Sequence, residues 1–249
     1  MTSQTTSQFA RPRIDIRALL GLYDPADTTD WGPIRAAQMN AGSQPALFML
    51  AANVLGSTLI ALNFASLVPL WKLASSGAPV AALGVAAAFR RLAVRHRTER
   101  TASLSDVRDT MLDGIALGAI WSIAPLLFGS FADVQALNGM WIVLSILMVA
   151  SSVAMAALPL ATFSFLVVLG SANATALALT QSPALGAAAL LFTLLLVIAC
   201  FARGKALVVI RAGEIALAER DETVSLLLRE FEDRSEERRV GKGCRSRWS

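Results

Sequence analysis

The sequence predicts an all-α fold: a polytopic membrane protein with about six transmembrane helices and a C-terminal cytoplasmic signalling helix. Three observations carry this expectation. Residues 36–89 hold one charged side chain, Lys72, and residues 114–202 hold one, Asp133. About 20 apolar residues cross a bilayer, so the second run alone has the length of about four crossings. The arginines gather in a few short segments between or beside these runs, as they do when basic residues stay on one side of a membrane. Past the last apolar run, apolar residues return at every seventh position of a charged, proline-free stretch, which is a helical signature.

Composition points the same way. The chain has 249 residues, of which 55% are hydrophobic and 16% charged, and its mean hydropathy is +0.57. Soluble domains carry about 25% charged residues. A soluble enzyme, a secreted disulfide scaffold and a disordered tail are excluded. The net charge of +4 owes much to the last fourteen residues, 236–249, which hold five basic and two acidic residues; without them it is +1. The basic balance is therefore no sign of nucleic-acid binding. Cys200 lies in an apolar run and Cys244 in a polar tail, so no disulfide framework is expected.

Taken in order, residues 1–10 are rich in Ser, Thr and Gln. Residues 14–23 read as a short interfacial helix, and Asp24-Pro25 as a turn. Asp30 is placed to cap a second helix running through Met39, because Pro33 then falls in its first turn. No secretory signal precedes the first long apolar run at Pro45. Apolar segments are expected at 46–71, 73–89, 111–129, 137–158, 160–180 and 184–202. The second is the shortest and contains Pro79, which membrane helices tolerate when neighbours satisfy the freed carbonyl. Trp31, Trp71, Trp121 and Trp141 are the candidates for an interfacial aromatic belt.

Loop charge sets the orientation. Residues 90–110 carry Arg90, Arg91, Arg95, Arg97, Arg100 and Arg108; Arg11, Arg13, Arg17 and Arg35 precede the first segment; Arg203 and Lys205 follow the sixth. Lys72 and Asp133 are all that the opposite side offers. Basic residues remain cytoplasmic. Both termini and the arginine-rich loop are therefore expected in the cytoplasm, which six crossings satisfy and five do not.

Residues 203–235 mix charge with apolar positions. Ile210, Leu217, Val224 and Phe231 stand seven apart, one seam of a parallel coiled coil and the expected dimer seam. The companion positions are poor: Gly213, Arg220 and Leu227 on one side, Glu214, Asp221 and Leu228 on the other. The domain plan is thus a cytoplasmic or interfacial segment over 1–44, a six-helix module over 45–202, a signalling helix over 203–235 and a distinct tail over 236–249.

Motifs that carry chemistry are scarce. His96 is the sole histidine and sits between Arg95 and Arg97; one histidine and two distant cysteines make no metal site. There is neither a glycine-rich phosphate loop nor a Ser-His-Asp set. The chain itself is expected to be no enzyme and to hold no cofactor. Intramembrane polar residues are functional suspects by default: Asn53, Asn63, Asn138 and Asn173, with Asp113 at the edge of the third segment. Asn53 and Asn173 are expected to hydrogen-bond between helices, and Asp113 to sit at headgroup level beside Arg108. Gly114 with Gly118, and Gly170 with Ala174, permit close approach of helices within the chain.

Two stretches resemble one bacterial family. The first is Asp15-Ile16-Arg17-Ala18-Leu19-Leu20-Gly21-Leu22-Tyr23-Asp24-Pro25 with Asp30-Trp31-Gly32-Pro33-Ile34-Arg35-Ala36-Ala37-Gln38. The second is Arg211-Ala212-Gly213-Glu214-Ile215-Ala216-Leu217-Ala218-Glu219 with Val224-Ser225-Leu226-Leu227-Leu228-Arg229-Glu230-Phe231-Glu232. Both are similar to the N-terminal membrane-sensor region of alphaproteobacterial cyclic di-GMP signalling proteins. In that family a multispanning module and a signalling helix precede a PAS domain, a GGDEF diguanylate cyclase domain and often an EAL phosphodiesterase domain. The resemblance covers roughly residues 11–235. Beyond Ser235 the family pattern stops, and residues 236–249 resemble translated sequencing-adapter sequence at the end of a truncated fragment. The resemblance implies a multi-pass protein of the bacterial inner membrane. Its partners would be the lipid bilayer and a second copy of the chain, and no nucleic acid.

The function expected is a membrane sensor or anchor module of a signal-transduction protein that regulates cyclic di-GMP synthesis or breakdown. The alternative is a small six-helix membrane transporter. Transporters carry internal repeats and charged or broken midplane helices, and the sequence shows no clear three-plus-three repeat and no midplane charge.

Overall fold

Six apolar stretches that each must satisfy their backbone without water can do so only as helices, since the alternative in lipid is a closed barrel. In the computed structural model, residues 32–95, 102–128 and 133–245 are described, and they contain helices and turns but no strand. The helices are α1 (Gly32–Ser43), α2 (Ala46–Phe64), α3 (Leu70–Arg95), α4 (Leu104–Phe128), α5 (Val134–Ala154), α6 (Pro159–Thr180) and α7 (Pro183–Arg245). All except α1 are long and apolar enough to cross a membrane; in α7 the apolar part is Pro183–Arg211. The interfacial helix expected at 14–23, the Asp24-Pro25 turn, the Asp30 cap, Trp31 and His96 lie outside the described residues.

Boundaries follow local chemistry more closely than charge. The break between α2 and α3 falls at residues 65–69 and not at Lys72. Leu67 and Val68 both donate their N–H groups back to the Phe64 carbonyl, at 3.0 Å each, and Pro69 has no N–H to continue the ladder. Lys72 lies inside the first turn of α3, its Nζ 5.5 Å from the Trp71 ring centroid. A lysine there can reach headgroups along its own stem, so it needs no loop. The helix α4 begins at Leu104, seven residues before the expected start. The Ser103 N–H donates to Asp106 Oδ2 at 2.8 Å and the Asp106 N–H donates to Ser103 Oγ at 3.4 Å, a reciprocal capping box. Asp133 caps α5 by accepting from the Ala136 N–H at 2.7 Å, and Pro159 opens α6, where its missing N–H is harmless.

The core has contributions from α2 to α7. Phe64, Leu144, Leu166 and Leu169 are fully buried, and Cys200 joins them as a free thiol. The Phe64 and Phe128 rings stand 5.4 Å apart, tilted by 37°. Trp121, expected in an aromatic belt, is instead buried in this core. Trp71 is largely exposed, as a belt residue would be.

The small-residue pairs act within the chain. A Cβ on Gly114 would run into the Ala161 carbonyl, and one on Gly118 would meet the Phe165 carbonyl at 3.1 Å. Glycine therefore lets α4 lie directly along α6. Gly170 does the same for the Thr193 side chain of α7. Outward faces remain apolar, with Leu55, Leu62, Leu194 and Ile198 all more than half exposed; that pattern suits lipid, since lipid tails are as apolar as leucine.

By compactness the chain divides into two units, Met1–Val208 and Val209–Ser249. Helical backbone covers Pro183–Arg245, so neither 203 nor 236, the boundaries expected from composition, is a break in secondary structure.

Candidate functional site

Five of the spanning helices each bring a residue to one cavity. Asn53 of α2, Gly84 of α3, Asp113 of α4, Ser151 of α5 and Thr162 of α6 line a space of about 40 Å³. One water needs about 10–15 Å³ of such space, so the cavity has room for a few waters or one small polar group. It lies toward the N-terminal ends of α4 and α6 and the C-terminal ends of α3 and α5. Alternating helices bring these ends together, and Arg90 of α3 and Arg108 of α4 belong to the same end.

Asn53 is 2% exposed. Its Nδ2 donates to the Met49 carbonyl at 2.7 Å, one turn back along α2, and its Oδ1 accepts from Trp121 Nε1 at 2.8 Å. The amide thus spends a donor on its own helix and an acceptor on α4. Indole N–H groups seek a partner when buried, and Asn53 supplies it here.

Asp113 pairs with Arg90, at 2.8 Å between Oδ1 and the guanidinium. This corrects the expected neighbour, Arg108. Five residues along a helix amount to about 140° of rotation, so Asp113 and Arg108 face different ways. Arg90 on the adjacent α3 stands opposite instead. The carboxylate is 16% exposed and the guanidinium 56% exposed, so the pair lies at the cavity rim, where screening keeps its contribution to at most about 1 kcal/mol.

The two hydroxyls differ. Thr162 Oγ1 donates to the Met155 carbonyl at 2.8 Å and so ties α6 to the turn that precedes it. Ser151 is 4% exposed, and its Oγ is buried without a partner. A buried polar atom left unpaired is unfavourable, and the residue that carries this one is among those lining the cavity. The cavity is thus lined by a serine, a threonine, an aspartate and an asparagine. That set suits hydrogen-bonded water or a small polar ligand. Among the described residues no group of three His, Cys, Asp or Glu side chains is placed to hold a metal ion.

Asn173 does not join this cavity. It is buried on α6, eleven residues and about 16 Å along the axis from Thr162. Asn63 Nδ2 donates to the Ala136 carbonyl at 2.7 Å and ties α2 to α5, while Asn138 Oδ1 accepts from Gln181 at 3.4 Å. Sequence reasoning passed over Ser151 and Thr162 because serine and threonine in a membrane helix are ordinarily silent, bonding to their own preceding turn. Only the packing reveals which hydroxyl is left over.

The expected dimer seam lies in the second unit. Ile210, Leu217, Val224 and Phe231 are each more than half exposed. Leu227 and Leu228 are also half exposed or more, so toward Phe231 the stripe widens to three or four apolar residues per two turns, the width of a packing face. Arg211 Nη1 and Glu214 Oε2 form an ion pair at 2.6 Å, three residues apart on the same helix.

Comparison with protein-family models, with curated proteins and with solved structures returns no match to the chain.

Proposed function

We propose that the chain is the membrane sensor module of a dimeric bacterial signalling protein, set in the inner membrane with both termini in the cytoplasm. One observation carries this reading. The C-terminal unit of α7, from Val209 onward, presents Ile210, at the end of the apolar stretch, and Leu217, Val224 and Phe231 beyond it at heptad spacing, all exposed. Apolar residues seven apart on a charged helix leave a stripe that drifts by only about 20° per heptad, which a partner helix covers by supercoiling.

In this reading, a ligand or a membrane state biases the packing of α2–α6, and the polar part of α7 carries the bias to an output by rotation or register. The polar cavity, with its unpaired Ser151 hydroxyl, is where a small polar signal would act. An output that makes or breaks cyclic di-GMP is proposed on the resemblance of the two sequence stretches at 15–38 and 211–232 alone.

The test is a reporter enzyme that requires dimerisation, fused after Ser235. Wild type should activate it. The double substitution Leu217→Asp and Val224→Asp puts charge into the seam and should abolish activation with membrane insertion unchanged. Full activity in the double variant contradicts the proposal.

A further inference from the structure

Arg35 forms an ion pair with no acidic side chain among the described residues. It sits on α1 and is only partly exposed. Its Nε donates to the Ala102 carbonyl at 3.0 Å, which fixes the guanidinium against the start of α4. Its Nη1 is buried and has no hydrogen-bond partner. A guanidinium offers five donors in a rigid fork, and a buried donor on a charged group is unfavourable to leave empty. Beside it is a cavity of about 20 Å³, bordered by Gln38, Thr110 and Pro159 among others. That space exceeds what one oxygen atom with its hydrogens requires. Gln38 is almost fully buried there and offers an amide. The cavity lies where α1 meets the first turns of α4 and the start of α6.

We propose that Arg35 binds a phosphate-bearing ligand: an anionic phosphate oxygen enters the cavity that Arg35 lines and accepts from its guanidinium. Fixed by Ala102, the guanidinium is held ready, so little side-chain freedom is lost on binding. Both a phospholipid headgroup of the surrounding leaflet and a soluble phosphate carry this oxygen. Pockets of basic residues between membrane helices on the cytoplasmic side suit anionic headgroups. The site stands whether the module is a sensor or a transporter.

The experiment uses the full chain in nanodiscs. Thermal unfolding is followed in phosphatidylcholine alone, in phosphatidylcholine doped with phosphatidylglycerol, and in phosphatidylcholine with added inorganic phosphate. Wild type should unfold at higher temperature with phosphatidylglycerol or with inorganic phosphate, and whichever arm responds identifies the source. Arg35→Gln should lower the apparent affinity about tenfold or more, the equivalent of one charge-assisted hydrogen bond. Arg108→Gln, which removes an exposed arginine at the same end, should leave most of the response and so separates a site from general surface charge. If Arg35→Gln fails to fold, Gln38→Glu serves instead: a carboxylate beside the guanidinium takes the anion's place and should abolish the response. No shift in either arm overturns the proposal. So does an Arg35→Gln or Gln38→Glu response equal to that of wild type.

Discussion

Trp121 Nε1 donates to Asn53 Oδ1 at 2.8 Å between α4 and α2, with both side chains almost wholly buried. This bond joins two helices 68 residues apart in sequence beside the cavity that Asn53 lines. It explains why a polar amide is kept at mid-span: its acceptor is the only outlet that the indole uses, and its donor is held by Met49.

Removing either partner should therefore destabilise the bundle. Trp121→Phe strands the Asn53 oxygen and should lower stability by about 1–3 kcal/mol. The coupling itself should be smaller, about 0.6–1.7 kcal/mol, because the unfolded chain in a membrane also finds partners. A double-mutant cycle of Trp121→Phe with Asn53→Ala, read by unfolding in mixed micelles, measures it. Additive losses would mean that the bond contributes nothing.

Glycine positions give a sharper contrast. Gly114→Ala places a methyl group against the Ala161 carbonyl. A backbone atom cannot swing aside as a side chain can, so α4 and α6 must part. A loss of about 1–3 kcal/mol is expected, as for other overpacked cores. Gly77→Ala meets nothing within 4 Å and should be neutral or slightly stabilising, since alanine is the better helix former. Thermal unfolding of the two variants in one detergent compares them directly.

Orientation is testable without a structure. Cysteine at Ser103 should label only from the cytoplasm and cysteine at Ser130 only from the periplasm, if the six arginines between 90 and 108 follow the rule that basic loops stay inside. The reverse pattern would reject the six-crossing arrangement.

The spanning helices were legible in sequence because lipid imposes a coarse rule: long charge-free runs must be helical. Their ends were not, wherever charge was taken as the marker. Lys72 and Asp106 both lie inside helices that the charge rule ended or delayed. The signals that set those ends were present but finer, Pro69 at one and the Ser103–Asp106 capping box at the other. Among the polar suspects, Asn53 and Asp113 do reach one cavity and Asn173 does not. Which amide faces which neighbour depends on helix rotation, and in a bundle apolar on both its inner and outer faces the hydrophobic pattern fixes rotation poorly. Trp121 shows the same limit. Its sequence context matches a belt tryptophan, and only the packing of α4 against α2 turns it inward.

The account depends most on what covers the stripe of α7. Single cysteines at residues 205–232, oxidised in native membranes, read this position by position. Crosslinking should peak at Ile210, Leu217, Val224 and Phe231 and fall between them, with weaker peaks near Gly213 and Arg220, where the companion seam is poor. Uniform or absent crosslinking across those residues would contradict a dimeric signalling helix and leave α7 as a solvated continuation of the last span.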